Sequence, residues 1–122
     1  MSQSQRFENS APILRVEDME RAVKFYVGQL GFQAAQWGTA EFNYVSRDTA
    51  GIYLCHQDQG RGGAWVWLGV EDVEALQAEY LGRGVAIAEP PTEYPWALEM
   101  RIHDPDGNVL RIGSEPRTAK IS

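Results

Sequence analysis

The chain has 122 residues, a single cysteine and a formal net charge of −6, a length that suits one compact domain over residues 1–122 and is short for two. One cysteine excludes an internal disulfide and a cysteine-rich metal site, and the acidic balance argues against nucleic acid, whose phosphates require a basic surface. No apolar run approaches a membrane span, and residues 1–10 lack the hydrophobic region of a secretory signal, so the expectation is a cytoplasmic protein with no membrane partner.

The first predicted strand runs through Ala11-Pro12-Ile13-Leu14. Asp18 then stands where a helix N-cap belongs, its carboxylate able to accept the unpaired backbone N–H groups of a first turn. Met19, Ala22, Val23, Tyr26 and Leu30 paint one face of the helix that follows, and Gly31 marks its end. Three strands are predicted next, at about 32–37, 41–46 and 51–56. Residues 57–63 are polar and glycine-rich and read as a linker.

The pattern then repeats. Leu68-Gly69-Val70-Glu71-Asp72-Val73-Glu74 matches Leu14-Arg15-Val16-Glu17-Asp18-Met19-Glu20 at an offset of 54 positions, and Tyr80 falls on Tyr26 at the same offset. Asp72 is the second expected N-cap. Val73, Leu76, Tyr80 and Leu81 form the second helix face, and Gly84 marks its stop. Strands are predicted at about 85–89, 98–103 and 109–113. Residues 89–95 carry three prolines and read as an irregular loop, while Asp104-Pro105-Asp106-Gly107-Asn108 suits a tight reversal. Residues 114–122 form a polar tail. The expected fold class is α+β: two tandem βαβββ modules, residues 11–57 and 64–113, whose strands combine into one curved mixed sheet backed by helices.

Strand alternation assigns faces. Val66, Leu68 and Val70 should pack under the helices, which turns Trp65 and Trp67 to the opposite, concave side. The same parity places Phe42 with Tyr44, and sets Tyr53 and Cys55 opposite Ile52 and Leu54. It sets Arg111 opposite Leu110 and Ile112, and Glu99, Arg101 and His103 opposite Leu98, Met100 and Ile102. Rings with a few polar groups suit a flat heteroaromatic ligand, and a cationic tail would be attracted to ring faces and acids. The same rings would equally serve packing or a dimer interface, and mild acidity equally serves solubility.

Residues 16–26, from Val16-Glu17-Asp18-Met19 to Phe25-Tyr26, together with Leu30-Gly31-Phe32 and Asp104-Pro105-Asp106-Gly107-Asn108, resemble the vicinal oxygen chelate superfamily. That superfamily includes glyoxalase I, extradiol dioxygenases, fosfomycin-resistance enzymes and bleomycin-resistance proteins. The resemblance spans roughly residues 12–113. Ala64-Trp65-Val66-Trp67, Tyr94-Pro95-Trp96 and Ala11-Pro12-Ile13-Leu14 look most like the bleomycin-binding members. This implies a homodimer with an exchanged N-terminal strand at Pro12, and clefts at the subunit interface. It also implies non-catalytic, stoichiometric sequestration of a cationic, planar-aromatic antibiotic of the bleomycin type, conferring resistance without a cofactor. By the same resemblance, Trp65, Trp96 and Phe42 would stack the drug, with Trp67, Trp37, Tyr53 and Arg111 nearby. Asp58 and Glu41 would attract the cationic tail.

Enzymes of the superfamily place metal ligands on the concave face, at positions that align here with Ala11, Tyr53, Trp65 and Arg111. None suits a divalent cation, which wants imidazole, carboxylate or thiolate. The two histidines, His56 and His103, read as strand-end residues, although Glu99 and His103 occupy neighbouring slots where an unorthodox site could form. The expectation is no metal and no enzyme. Two alternatives stay open: a binding protein of the same fold for another antibiotic or a metabolite, because fold does not fix function, and a metal-dependent glyoxalase- or dioxygenase-type enzyme, which chelation would inactivate. The short linker at 57–63 would remove contacts that a long glycopeptide needs.

Overall fold

A computed structural model describes residues 5–117. The chain folds as two copies of one unit. The first comprises β1 (Ile13–Arg15), α1 (Met19–Val23) continuing as a π-helical segment (Lys24–Gln29), β2 (Gln33–Ala34), β3 (Phe42–Arg47) and β4 (Ala50–Cys55). The second comprises β5 (Trp65–Gly69), α2 (Val73–Gly82), β6 (Glu89–Glu93), β7 (Leu98–His103) and β8 (Val109–Ser114). Strand order is β1-β4-β3-β2 in one sheet and β5-β8-β7-β6 in the other. In each, the first strand pairs parallel to the last and the remaining pairs are antiparallel. This is the tandem βαβββ, α+β architecture predicted from the repeat. The strands form two four-stranded sheets rather than one continuous ladder.

Local chemistry explains the helix boundaries. Asp18 accepts from Arg21 N at 3.1 Å, and Asp72 accepts from Glu74 N and Ala75 N, each at 3.1 Å, as N-caps should. Gly31 and Gly84 sit at φ of +81° and +77°, a left-handed conformation that glycine adopts without steric cost and that ends each helix. The π-helical segment is a feature the periodicity did not reveal. Leu30 N reaches the carbonyl of Phe25, five residues back, at 3.0 Å, and Phe25, Tyr26 and Leu30 all stay buried.

One core serves both units. Leu14, Ile52 and Leu54 from the first sheet, Met100, Ile102, Leu110 and Ile112 from the second, and Tyr26 and Tyr80 from the helical segments belong to a single buried cluster. Buried polar groups seal the junction. Asp104 Oδ1 accepts from Asp106 N and Asn108 N, each at 2.9 Å, and its Oδ2 accepts from Asn108 Nδ2 and from Tyr26 of the other unit. Asn108 also accepts from Ala64 N and donates to Arg15 O. On the helix side, Arg47 donates to Glu79 through two nitrogens, at 2.9 Å each, and to Leu30 O at 3.0 Å.

Two boundaries differ from expectation. The strand predicted at 85–89 lies instead at Glu89–Glu93, inside the stretch read as a proline loop. β6 is an edge strand whose pairing with β7 shifts register between Glu89 and Thr92. Pro90 and Pro91 fall in that shift, where no ladder N–H is required. The strand predicted at 32–37 shrinks to Gln33–Ala34. Ser114, read as the start of the tail, is the last residue of β8; it is buried and accepts from Val73 N at 3.3 Å. Arg117 pairs with Glu74 at 2.8 Å. The rest of the tail, 118–122, and residues 1–4 lie outside the described residues. Among the described residues no helix is long and apolar enough to cross a membrane. Within the single chain β1 pairs with the chain's own β4, and Tyr53 N extends that ladder to Pro12 O at 2.9 Å.

Candidate functional site

The sheet faces turned away from the helices carry most of the exposed aromatic surface. On the first sheet, register places Ile13, Tyr53 and Tyr44 side by side, with Arg15, Cys55 and Phe42 in the next row. The rings make a continuous run. Trp37 stacks on Phe42 at 6.1 Å and 27°, Phe42 on Tyr53 at 5.1 Å and 17°, and Tyr53 meets Tyr44 at 4.7 Å and 48°. The Tyr44 phenol occupies space that a side chain at Gly51 would fill, since a Cβ there would lie 1.8 Å from its oxygen.

On the second sheet the equivalent ladder reads Trp67, Arg111 and Arg101. Arg111 therefore stands where Tyr53 stands in the first unit, and one face is aromatic while the other mixes indoles with paired charges. Trp65, Trp67 and Trp96 are 58%, 54% and 61% exposed. A continuous chain of contacts joins them. Arg101 lies over the Trp65 ring at 5.3 Å and pairs with Glu89 at 3.3 Å. Glu89 accepts from Tyr94 OH at 3.1 Å, and Tyr94 stacks on Trp96 at 5.0 Å and 13°. Trp96 Nε1 donates to Glu99 Oε2 at 3.1 Å, and Trp67 Nε1 donates to the same oxygen at 2.8 Å. Arg111 donates to Glu99 Oε1 through Nε and Nη2.

Glu99 is 2% exposed. Burial pushes its carboxyl upward, but hydrogen bonds from Arg111, Trp67 and Trp96, with the charge of Arg111, outweigh that and hold it below the ordinary carboxylate range. It is therefore an ionised acceptor at neutral pH.

The expected residues fall into three groups. Trp65, Trp67, Trp96 and Arg111 are brought together on the second sheet, and Phe42, Tyr53 and Trp37 on the first. Asp58 and Glu41 are exposed at one end of the first sheet, where His56 N bonds Glu41 O at 2.8 Å. Among the described residues the side chains of Asp58 and Glu41 touch neither ring cluster through a hydrogen bond or ion pair, and no ring pair joins the two clusters. A groove of about 440 Å³ lies elsewhere, on the helix side, lined by Leu68, Ala75, Leu76, Tyr80, Arg47 and Glu79 among others. It contains none of the exposed rings. Trp37 on the first face and Trp65, Trp67 and Trp96 on the second are each more than half exposed, while Phe42, Tyr44 and Tyr53 are half-buried.

In the sequence, strand parity places Glu99 on this face, where it is weighed with His103 only for an unorthodox metal site; Tyr94 enters only through the Tyr94-Pro95-Trp96 resemblance, and Glu89 is not singled out. Glu89 is hidden by the prolines that disguise β6.

The superfamily's enzymes use a metal, and the donor chemistry here does not fit one. Tyr53, Trp65 and Arg111, the residues expected to align with the family's ligands, offer no carboxylate, imidazole or thiolate, and Glu99 on the same face already accepts from an arginine and two indoles. Among the described residues no three of His, Cys, Asp or Glu gather where they could hold an ion.

Comparison with known proteins agrees with this fold. The family model described as Glyoxalase/Bleomycin resistance protein/Dioxygenase superfamily matches residues 10–112. The fold is similar to that of the bleomycin-binding protein from bleomycin-producing Streptomyces verticillus, solved with copper(II)-bleomycin. The TM-score is 0.79 at 25% identity, with 91% of this chain and 98% of that chain covered. It is also similar to TnmS3, an antibiotic binding protein from Streptomyces sp. CB03234, with a TM-score of 0.74, 28% identity and coverage of 92% and 99%. A glyoxalase/bleomycin resistance protein from the same strain gives a TM-score of 0.66 at 30% identity, with coverage of 86% and 100%. No curated protein sequence is detectably similar to the chain.

Proposed function

The chain belongs to the Glyoxalase/Bleomycin resistance protein/Dioxygenase superfamily, and from that premise we propose that it is a non-catalytic binding protein that sequesters a planar-aromatic, cationic antibiotic of the bleomycin type. The observation that carries this reading is the pair of open aromatic faces. Three indoles on the second sheet are more than half exposed yet held in place by hydrogen bonds, stacking or an arginine. The first sheet presents four stacked or tilted rings. Large exposed apolar patches on soluble proteins mark binding surfaces, and flat rings stack by offset overlap.

A planar ligand bound by stacking gains most when it is covered on both sides. Each face offers one wall, so the proposed assembly is a homodimer in which the first-sheet wall of one copy faces the second-sheet wall of its partner. Two equivalent clefts follow from the two-fold symmetry. Trp65, Trp67, Trp96 and Arg111 would line one side of each cleft, and Phe42 and Tyr53 the other. Exchange of the N-terminal strand at Pro12 fits the same assembly.

Charge orients the ligand. On the second sheet Glu89 is committed to Arg101 and Glu99 to Arg111. Asp58 and Glu41, exposed beside the first sheet, are the acids available to a cationic tail. In this reading no bond is broken, so protection is stoichiometric and resistance follows from removing free drug in the cytoplasm. Incubation of the protein with bleomycin, followed by denaturation and mass analysis, should return unchanged drug. A cleaved or modified product would refute the reading.

A second reading is favoured by one comparison. The antibiotic binding protein TnmS3 shares 28% identity with this chain, against 25% for the bleomycin-binding protein. A different planar antibiotic is then the ligand of the same walls. Competition between bleomycin and other planar-aromatic antibiotics for tryptophan quenching separates the two.

A further inference from the structure

We propose that Glu99 is the positioning residue of the indole wall: its carboxylate fixes Trp67 and Trp96 as a rigid pair whose faces present to a flat ligand. The ligand clause rests on the binding reading above, whereas the positioning clause stands on the geometry of the free protein.

The residue type is specified by its donors. An indole N–H donates and cannot accept, and a guanidinium likewise. Glu99 Oε2 receives Trp67 Nε1 at 2.8 Å and Trp96 Nε1 at 3.1 Å, while Oε1 receives Arg111. Both oxygens must be acceptors. A glutamine in either amide orientation turns its own N–H groups toward two indoles or toward an arginine.

The three partners come from separate elements. Trp67 is on β5, Arg111 on β8, and Trp96 in the connection between β6 and β7. An indole in such a connection is free to swing unless something holds it. Trp96 is held from one side by stacking on Tyr94 and at its N–H by Glu99.

The floor beneath Trp67 is shaped to the same end. Gly69 and Gly113 are ladder partners. A Cβ at Gly69 would lie 2.9 Å from Trp67 Cζ3, and one at Gly113 would lie 2.9 Å from Glu99 Cγ and 3.3 Å from Trp67 Cζ2. Both glycines leave the space into which the indole and the Glu99 stem settle. Core packing does not require this arrangement, because both rings remain more than half exposed. A buried carboxylate is costly unless fully paired; here all three partners line the outward face, so the pairing serves to aim rings.

The test is the indole N–H region of the ¹⁵N–¹H spectrum of ligand-free protein. Among the described residues, Trp37 and Trp65 donate their indole N–H to no protein group. The Trp67 and Trp96 signals should therefore lie downfield of those two and exchange slowly. Glu99→Gln should move both upfield together. Trp96→Phe, which keeps a ring and removes one donor, should shift the Trp67 signal through the shared oxygen; Gly113→Ala should shift both without altering any donor. A Trp67 signal that ignores both Glu99→Gln and Trp96→Phe overturns the proposal, and if Glu99→Gln does not fold, Trp96→Phe and Gly113→Ala decide it. With metal-free bleomycin as probe, Glu99→Gln should bind about tenfold more weakly than wild type, a loss of about 1.4 kcal/mol. Wild-type protein that shows the spectral coupling but no bleomycin binding would sink the ligand reading and leave the positioning role standing. Wild-type affinity in a folded Glu99→Gln would overturn the ligand clause alone.

Discussion

The hydroxyl of Tyr26 donates to a carboxylate oxygen of Asp104 at 2.8 Å, joining the first helical segment to the last turn across 78 positions of chain. Both groups are buried, so each depends on the other for a partner. Burial, reinforced by the neighbouring Asp104, pushes the Tyr26 phenol well above the ordinary tyrosine range. Tyr26→Phe keeps the ring and leaves Asp104 Oδ2 with Asn108 Nδ2 alone. The expected cost is about 1–3 kcal/mol, read as a lower urea midpoint at unchanged slope. An unchanged midpoint would show that the bond contributes nothing net.

A second junction lies on the helix side. The hydrogen bond from Arg47 holds the Glu79 carboxyl below its ordinary range, against the opposing effect of burial. A depressed folded-state pKa means the stabilisation is complete above the ordinary glutamate pKa and is lost as pH falls through the folded value. Glu79→Gln should therefore destabilise at neutral pH and flatten the acid limb of the stability curve. Both partners are about one-third exposed, so a double-mutant cycle with Arg47→Ala should give a coupling of roughly 1 kcal/mol. Parallel acid limbs in wild type and Glu79→Gln would contradict this.

Acidification should also reach the indole wall. Glu99 stays ionised until the pH drops below the ordinary glutamate range, because donation by Arg111, Trp67 and Trp96 overcomes its burial. Its neighbours in charge are Arg111 on β8 and the Arg101–Glu89 pair across β7 and β6. The Trp67 and Trp96 indole signals are expected to titrate together, with one midpoint below that of a free glutamate. Separate midpoints, or a midpoint above that range, would mean the two rings do not share one ionised acid.

The proposed dimer makes a concentration-dependent prediction. Purified protein should sediment as two chains, and dilution to monomer should shift tryptophan emission to longer wavelength as Trp65, Trp67 and Trp96 lose their facing wall. A monomer at high micromolar concentration would require a ligand site built from one chain's open faces.

Much of this fold was legible because the chain states it twice. Asp18 and Asp72 named the helix starts, Gly31 and Gly84 the ends, and alternation along β5 separated exposed Trp65 and Trp67 from inward-facing Val66 and Leu68. Three features resisted. β6 carries prolines that argue against a strand until its edge position and register shift are known. The π-helical turn after Val23 leaves no periodic mark distinct from an α-helix. Within the site, the exposed rings stand out by type, but the acids do not. Glu99 and Asp58 are both carboxylates, and three-dimensional contact distinguishes the buried one, hydrogen-bonded by three residues, from the solvated one.

The most direct test of the account is a titration of purified protein with metal-free bleomycin, followed by tryptophan fluorescence, with Trp65→Ala and Trp96→Ala in parallel. The account predicts saturable quenching at about one drug per chain, with each substitution weakening binding about tenfold, or roughly 1.4 kcal/mol. Quenching absent at high micromolar drug, or binding indifferent to both substitutions, would contradict the claim that these walls sequester bleomycin.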